Sequence, residues 1–422
     1  MKYLLVTHIP FQRDTRGGAV VDALWARDLI GLRDSVGSIR VVAPQLPAAS
    51  ALQTWGPTSF TMDETSGIVF RGFPSLARSA SWKTLKMRSV LRDEVQRADV
   101  VHTSNLFPPY LSLYYAHRLA HRFHKKSIFV IAEDFHDMLE WEWVRPATGF
   151  KRWLRQQQLA RLDRLVRQAA SKASLTFMHT PASVDRYRLS AAKSIAIRQP
   201  GHEIDQVIES DALEERLASM STGRPLELIT ACRHASLKGL DFLIRALHLV
   251  KRRKISVRLT LLGQGPETDS LRALARSLGL VNDVIFAGAL PPGPELEQAL
   301  RRADLFLMPH RTTDFGRAFF DAMAAGLPVV AFRTPASVDT VVDSSDGFLV
   351  PLDDVQALAE KLFFLASDVA LLKKTSRQAR IRALNNTRSE WFQMRAHWIR
   401  EIVNSRDEAS VPAPLQGAFD AT

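Results

Sequence analysis

The chain has 422 residues, 46% of them apolar, with 56 Lys and Arg against 44 Asp and Glu for a net charge of +12. That length predicts two domains of roughly 200 residues each; no apolar run reaches the roughly 18 to 20 residues of a membrane helix, and the single cysteine, Cys232, excludes an intrachain disulfide and a cysteine metal cluster. The positive excess favours anionic partners, a phosphorylated substrate or the anionic face of a membrane, with simple solubility as the alternative; no nucleic-acid-binding signature is present, so nucleic acid is not expected as a partner.

In chain order, Tyr3–Thr7 (YLLVT) predicts a first buried strand. The stretch MKYLLVTHIP is too short for a signal peptide, so the chain is expected to stay in the cytoplasm. Ala19–Leu32 has helical spacing, and Ser38–Ala43 and Gly67–Phe70 follow as strands. Trp82–Arg97 reads as a basic amphipathic helix, Asp99–His102 as a strand and Tyr110–His124 as a helix. Ser127–Ala132 is a largely apolar strand, Phe150–Ser171 a long basic helix and Leu175–Met178 a further strand. Strands separated by helices of roughly 10 to 15 residues imply βαβ units and a parallel sheet.

A second series follows Val207. Strands are expected at Leu226–Ala231, Val257–Leu262, Val284–Phe286, Asp304–Met308 and Val329–Phe332. Helices are expected at Leu240–Lys251, Glu267–Leu278, Glu295–Arg302, Arg317–Ala325 and Val355–Ser367. Pro200 and Gly201 suit a linker. The expected organisation is an α/β lobe over 1–204, a second over 205–385, an amphipathic helix over 386–405 packing back on the first lobe, and a disordered tail over 406–422.

Two segments carry chemistry. In ITACRHASLKGLDFLIRAL, a strand ends at Ala231, Arg233 and Lys238 follow in a loop, and Gly239 permits a tight turn into a helix. Ligands of open parallel sheets bind beyond the carboxyl ends of the strands. A planar guanidinium and a mobile ammonium there suit a diphosphate, the alternative being two solvated loop cations. In MPHRTTDFGRAFFDAMAAGLPVVAF, a strand leads through a polar loop with Gly316 to a helix of small residues. The N-terminus of that helix directs free N–H groups toward a ligand. Asp321, mid-helix, needs a partner: an N–H or arginine of the protein, or the hydroxyls of a bound ribose.

Together these segments resemble the retaining glycosyltransferases of the GT-B fold, the group 1 family that includes sucrose synthase and bacterial mannosyltransferases. Its R-x4-K pair is matched by Arg233 and Lys238, and its Gly-x-Gly-Pro turn by Gly263–Pro266. A strand ending in glycine, which in the family packs beside the nucleobase, is matched by Gly288. The P-S-x-x-E-G-F-G and E-A-M-A-x-G-x-P motifs correspond to Pro309–Gly316 and Asp321–Pro328. The family's first glutamate falls on Thr313, which lacks the charge, with Asp314 beside it; the second falls on Asp321.

The resemblance implies two Rossmann-like lobes facing a central cleft. It implies transfer of a sugar from a nucleoside-diphosphate sugar to a hydroxyl, with Arg233 and Lys238 stabilising the leaving diphosphate. Gly288, Asp314, Phe315, Gly316 and Asp321 are expected to hold the donor. No metal or other cofactor is expected.

The first lobe adds two features. Asp14-Thr15-Arg16-Gly17-Gly18 follows the first strand, and its glycines would let backbone N–H groups approach a phosphate; a plain strand-to-helix turn is the alternative. By resemblance, Gly17 and Gly18 match the family's glycine loop, which faces donor phosphate and acceptor. Ala132–Asp137 follows an apolar strand and looks like the D-x-H-E or H-D element of many family members; by that resemblance His136 would contact donor sugar or acceptor hydroxyl, with Asp134 or Asp137 orienting the ring, a structural histidine being the alternative. His8, His102 and His179 also sit at expected strand ends, without a metal-like set.

The acceptor is expected to be a carbohydrate or a lipid-linked molecule of bacterial polysaccharide or glycolipid assembly. Two basic helices with Trp141, Trp143 and Trp153 nearby predict a peripheral contact with the anionic inner face of the cell membrane, core-facing tryptophans being the alternative. Two other functions remain open: a nucleotide-sugar epimerase on the same fold, and a non-catalytic nucleotide-sugar-binding partner.

Overall fold

The computed structural model describes residues 1–47, 59–63, 66–74, 85–104, 111–131, 135–221, 223–312 and 316–405. The chain forms two compact units, one of Met1–Ile197 with the chain from Phe392 onward, the other Arg198–Trp391.

The first unit is built on a seven-stranded parallel sheet. Its spatial order is Ser194–Ala196, Leu175–Met178, Lys126–Ile131, Val100–Ser104, Tyr3–Val6, Ile39–Gln45 and Ile68–Pro74. The chain runs outward from Tyr3–Val6 in one direction, then returns to its other side with Val100–Ser104. Strands covered on both faces read as continuous apolar runs, and all four residues of Leu175–Met178 are buried. Val6, Val42 and Val101 of the sheet pack with Met87, Leu91, Leu113 and Ala116 of two helices.

From Phe392 onward the C-terminal helix Arg388–Asn404 belongs to this unit. Trp398 lies 6.1 Å from the ring of Phe177. Gly31 takes the ring of Phe392 so closely that a Cβ there would come within 2.8 Å of it. The expected helix at Ala19–Leu32 is corrected. Ala19–Asp22 is a strand, in a three-stranded antiparallel sheet with Gln12–Arg13 and Ser59–Met62, and the helix is Ala23–Val36. Asp22 ends the strand by accepting hydrogen bonds from the backbone N–H of Leu24 and Trp25 at 2.9 and 3.1 Å, an N-cap that starts the helix there. The expected tail over 406–422 lies outside the described residues.

The second unit has a six-stranded parallel sheet, in the order Val284–Gly288, Val257–Leu262, Leu226–Ala231, Leu305–Met308, Val329–Phe332 and Gly347–Val350. One face is covered by Leu240–Arg252, whose Leu240, Leu243, Ile244, Leu247 and Val250 recur at helical spacing, and by Val355–Ser367. The other is covered by Ala318–Ala324 and Val369–Leu384, through Phe319, Phe320, Met323, Ala379 and Ala383. Truncating a fully buried leucine such as Leu247 to alanine would cost about 2–5 kcal/mol. The strand series proceeds outward from Leu226–Ala231 and then restarts on its other side with Leu305–Met308. The order therefore reverses between these two strands, where open α/β sheets bind ligands.

Candidate active site

The loops after those two strands are locked together. Residues Ser236–Lys238 make one 3-10 turn, and Gly239 follows with φ +64°. A Cβ at Gly239 would lie 2.2 Å from the carbonyl oxygen of Pro309, so only glycine lets the backbones meet there. Two residues on, the backbone N–H of Arg311 donates to Leu237 O at 3.0 Å. A second seam joins the loop at Cys232–His234 to the Gly263–Pro266 turn. Gly263, at φ +124°, leaves no room for a Cβ, which would fall 1.9 Å from Cys232 O. Its N–H donates to Gly288 O at 2.7 Å, tying in the end of a third strand.

Arg233, Lys238 and Gly288 are thus gathered at the carboxyl edge of the second unit's sheet. Arg233 is exposed there and Lys238 is half-buried. The Lys238 ammonium donates to Nε2 of His310. His310 is buried, and burial first, then the nearby Lys238 charge, holds its imidazole well below its ordinary pKa. The ring is therefore a neutral acceptor for the lysine. Beside it, Arg311 pairs with Asp353 through two hydrogen bonds of 2.6 and 2.7 Å, and its guanidinium lies over the ring of Phe242. His234 is buried with Nδ1 3.0 Å from Thr268 Oγ1. Burial, then the Arg272 charge, lowers its basicity.

Gly316 lies against Met308 and Phe319, where a Cβ would meet Met308 Cε at 2.8 Å. The helix after it spans Ala318–Ala324, shorter at both ends than the sequence predicts. Its C-terminus is held by half-buried Arg216, which donates to Ala325 O at 2.8 Å and Gly326 O at 2.7 Å. Asp321 faces Gly201, and a Cβ on that glycine would come within 2.6 Å of Asp321 Oδ1. Gly201, expected as a linker residue, is buried inside the second unit. Thr313, Asp314 and Phe315 lie outside the described residues.

In the first unit, Gly17 and Gly18 form the turn of a β-hairpin, not a strand-to-helix loop. Gly17 N–H donates to Asp14 O at 3.2 Å and Gly18 N–H to Asp14 Oδ1 at 2.6 Å. Both amides are therefore engaged within the turn. His136 lies on the short helix Phe135–Leu139, and its Nδ1 sits 2.7 Å from Oδ2 of Asp163. Asp163 is thus a partner of the ring that the sequence did not suggest; Asp137 pairs with Arg186 at 2.9 Å, and Asp134 lies outside the described residues. Asp163 is the one acid of the basic helix Gly149–Lys172, a compositional signal that could have singled it out.

Two of the histidines expected at strand ends are kept neutral by burial. His102 lies within a strand 2.7 Å from the Tyr3 hydroxyl, and burial, then the Arg395 charge, lowers its pKa to about 3. Burial lowers that of His8 to about 4. Among the described residues there is no cluster of His, Cys, Asp and Glu suited to a metal ion.

The family model described as glycosyl transferases group 1 matches residues 225–368, which contain both seams. A GDP-mannose-dependent alpha-(1-6)-phosphatidylinositol monomannoside mannosyltransferase of Mycolicibacterium smegmatis is 33% identical over 179 residues, covering 41% of this chain and 46% of that protein. A putative colanic acid biosynthesis glycosyltransferase, WcaL, of Salmonella typhimurium is 36% identical over 146 residues, covering 33% of this chain and 36% of that protein. The chain spans about half or less of the length of these curated relatives. Among solved structures, Anabaena HepE in complex with UDP superposes with a TM-score of 0.67 at 17% identity, covering 95% of this chain and 100% of that one. The fold is the GT-B fold of two Rossmann-like units.

Proposed function

We propose, on the premise that residues 225–368 belong to the glycosyl transferases group 1 family, that this chain moves a sugar from a nucleoside-diphosphate sugar to a hydroxyl acceptor with retention of anomeric configuration. The acceptor would be a carbohydrate or a lipid-linked molecule of bacterial polysaccharide or glycolipid assembly. The observation that carries the reading is the glycine-locked pair of loops that sets Arg233 and Lys238 at the point where the sheet order reverses.

In the reaction, the bond from the anomeric carbon to the diphosphate breaks and its electron pair leaves on the phosphate oxygen. Arg233 and Lys238 stabilise that charge as it develops. The acceptor hydroxyl attacks from the same face, and its proton passes to the departing phosphate. The anomeric carbon has oxocarbenium character at the transition state. Gly288 would flank the nucleobase and Asp321 would accept from ribose hydroxyls. His136, set by Asp163, would bond a hydroxyl of donor sugar or acceptor. The two cations supply the positive charge, so no divalent ion is required. The enzyme would act in the cytoplasm; no helix among the described residues is long and apolar enough to cross a membrane.

Titration calorimetry of the whole chain with UDP-, GDP- and ADP-sugars tests this. One nucleotide class should bind, in EDTA as well as in magnesium, and Lys238→Ala should abolish binding. Product anomers read by NMR test retention. Release of free nucleotide without any acceptor would point to an epimerase, and no binding of any donor would overturn the reading.

A further inference from the structure

The helix Gly149–Lys172 behaves differently along its length. Its second half is anchored, with Leu159, Leu162, Val166, Ala169 and Ala170 buried. Its first three turns stand clear, and residues 149–158 are exposed apart from half-buried Arg155. Sequence position does not explain that freedom, because the exposed turns carry large apolar side chains. Phe150 is 74% exposed, Trp153 53% and Leu154 43%. The spacing i, i+3, i+4 puts them on one face, and Phe150 and Trp153 stack with centroids 5.4 Å apart at 24°. Lys151 and Arg152, both exposed, flank them.

The same helix has one acid, Asp163, and His136 meets its carboxylate. The two neighbouring tryptophans are engaged elsewhere. The Arg145 guanidinium sits 3.7 Å over Trp141, and that of Arg155 lies 5.3 Å over Trp143. What is left bare is an aromatic wedge between cations.

We propose that this end of the helix inserts into a membrane surface carrying anionic lipid. The wedge matches that environment in size and chemistry. Three apolar side chains are too few for a stable protein interface, which needs about 800 Å² per partner. They suit insertion roughly 5–10 Å deep at the headgroup boundary, where tryptophan is favoured and lysine and arginine meet lipid phosphate. The inference does not depend on sugar transfer: its failure would leave that reading intact, and the reverse.

Vesicle flotation of the full chain at low salt tests it, with phosphatidylcholine alone and with added phosphatidylglycerol. The chain should float only with the anionic vesicles and be released as salt rises. The double variant Phe150→Ser/Trp153→Ser should bind roughly tenfold more weakly, with its melting temperature unchanged. Brominated acyl chains should quench tryptophan emission, and Trp153→Phe should remove much of that quenching. No flotation at low salt, or equal flotation of the double variant, would overturn the proposal. So would a concentration-dependent dimer in sedimentation that the double variant abolishes, because a second copy would then be the occupant.

Discussion

Lys238 donates its ammonium hydrogen bond to Nε2 of His310, a buried ring 72 residues further along the chain. The relationship is one-way: the buried imidazole resists protonation, and the adjacent ammonium reinforces that. One lysine donor is thereby pinned to the loop after Leu305–Met308, and the ammonium is oriented before any anion arrives.

Removing the acceptor should free the lysine without removing its charge. A hydrogen bond to a charged group contributes about 1.5–3 kcal/mol, so His310→Phe should weaken nucleotide-sugar binding roughly tenfold to a hundredfold. His310→Asn, which keeps an acceptor, should recover part of the loss. Calorimetry on both variants checks this; equal affinity of wild type and His310→Phe would show that the contact does not position Lys238.

His136 and Asp163 should act as a pair on transfer and not on nucleotide binding. Asp163→Asn keeps the size of the side chain and removes its charge. It should lower kcat by about tenfold or more through loss of a charge-assisted hydrogen bond, with the nucleotide Kd unchanged. Steady-state kinetics beside calorimetry separate the two. A parallel loss of nucleotide affinity would make Asp163 a folding residue only.

The loop seams predict a contrast among glycines. Gly239→Ala brings a methyl against Pro309 O and also strains a φ of +64°, so a loss of about 2–4 kcal/mol is expected, with nucleotide binding falling in step. Gly17 has φ +87° but nothing within 4 Å of its Cβ position, so Gly17→Ala should cost only the backbone strain, about 1 kcal/mol. Thermal melts of both variants decide this.

Acid should destabilise the first unit before the second. Burial lowers the pKa of His8 to about 4, His102 to about 3 and His117 to about 4. Below the ordinary value of about 6.5 the unfolded chain takes up these protons and the folded unit does not, so stability falls with falling pH by up to about 1.4 kcal/mol per pH unit per group. The second unit has the same liability at His310 and His234. There Asp346, raised to about 6 by burial, binds a proton in the folded state first and offsets it below that pH. Hydrogen exchange between pH 7 and 4.5 should show the first unit losing protection earlier. Equal loss in both units would count against the assignment.

Much of the fold is local in origin and so was legible. The apolar runs ending at Ala231, Leu262 and Met308 and the helical spacing of Leu240–Val250 are properties of short windows. They place Arg233 and Lys238 in a loop at a strand's carboxyl end. The hairpin at Gly17–Gly18 was not legible, because its second strand, Ala19–Asp22, is stabilised by pairing with Ser59–Met62 some forty residues away, against a helical spacing in its own sequence.

By itself, then, the sequence determined the alternating α/β series, the glycines that turns require and the two cations suited to a diphosphate. Each of these rests on backbone preference or on side-chain chemistry within a few residues. The partners were decided by tertiary structure alone: Asp163 for His136, His310 for Lys238, Gly201 beside Asp321. A hydrogen bond between distant residues depends on how strands order in a sheet and how helices lie on it, and no periodicity within a window records that.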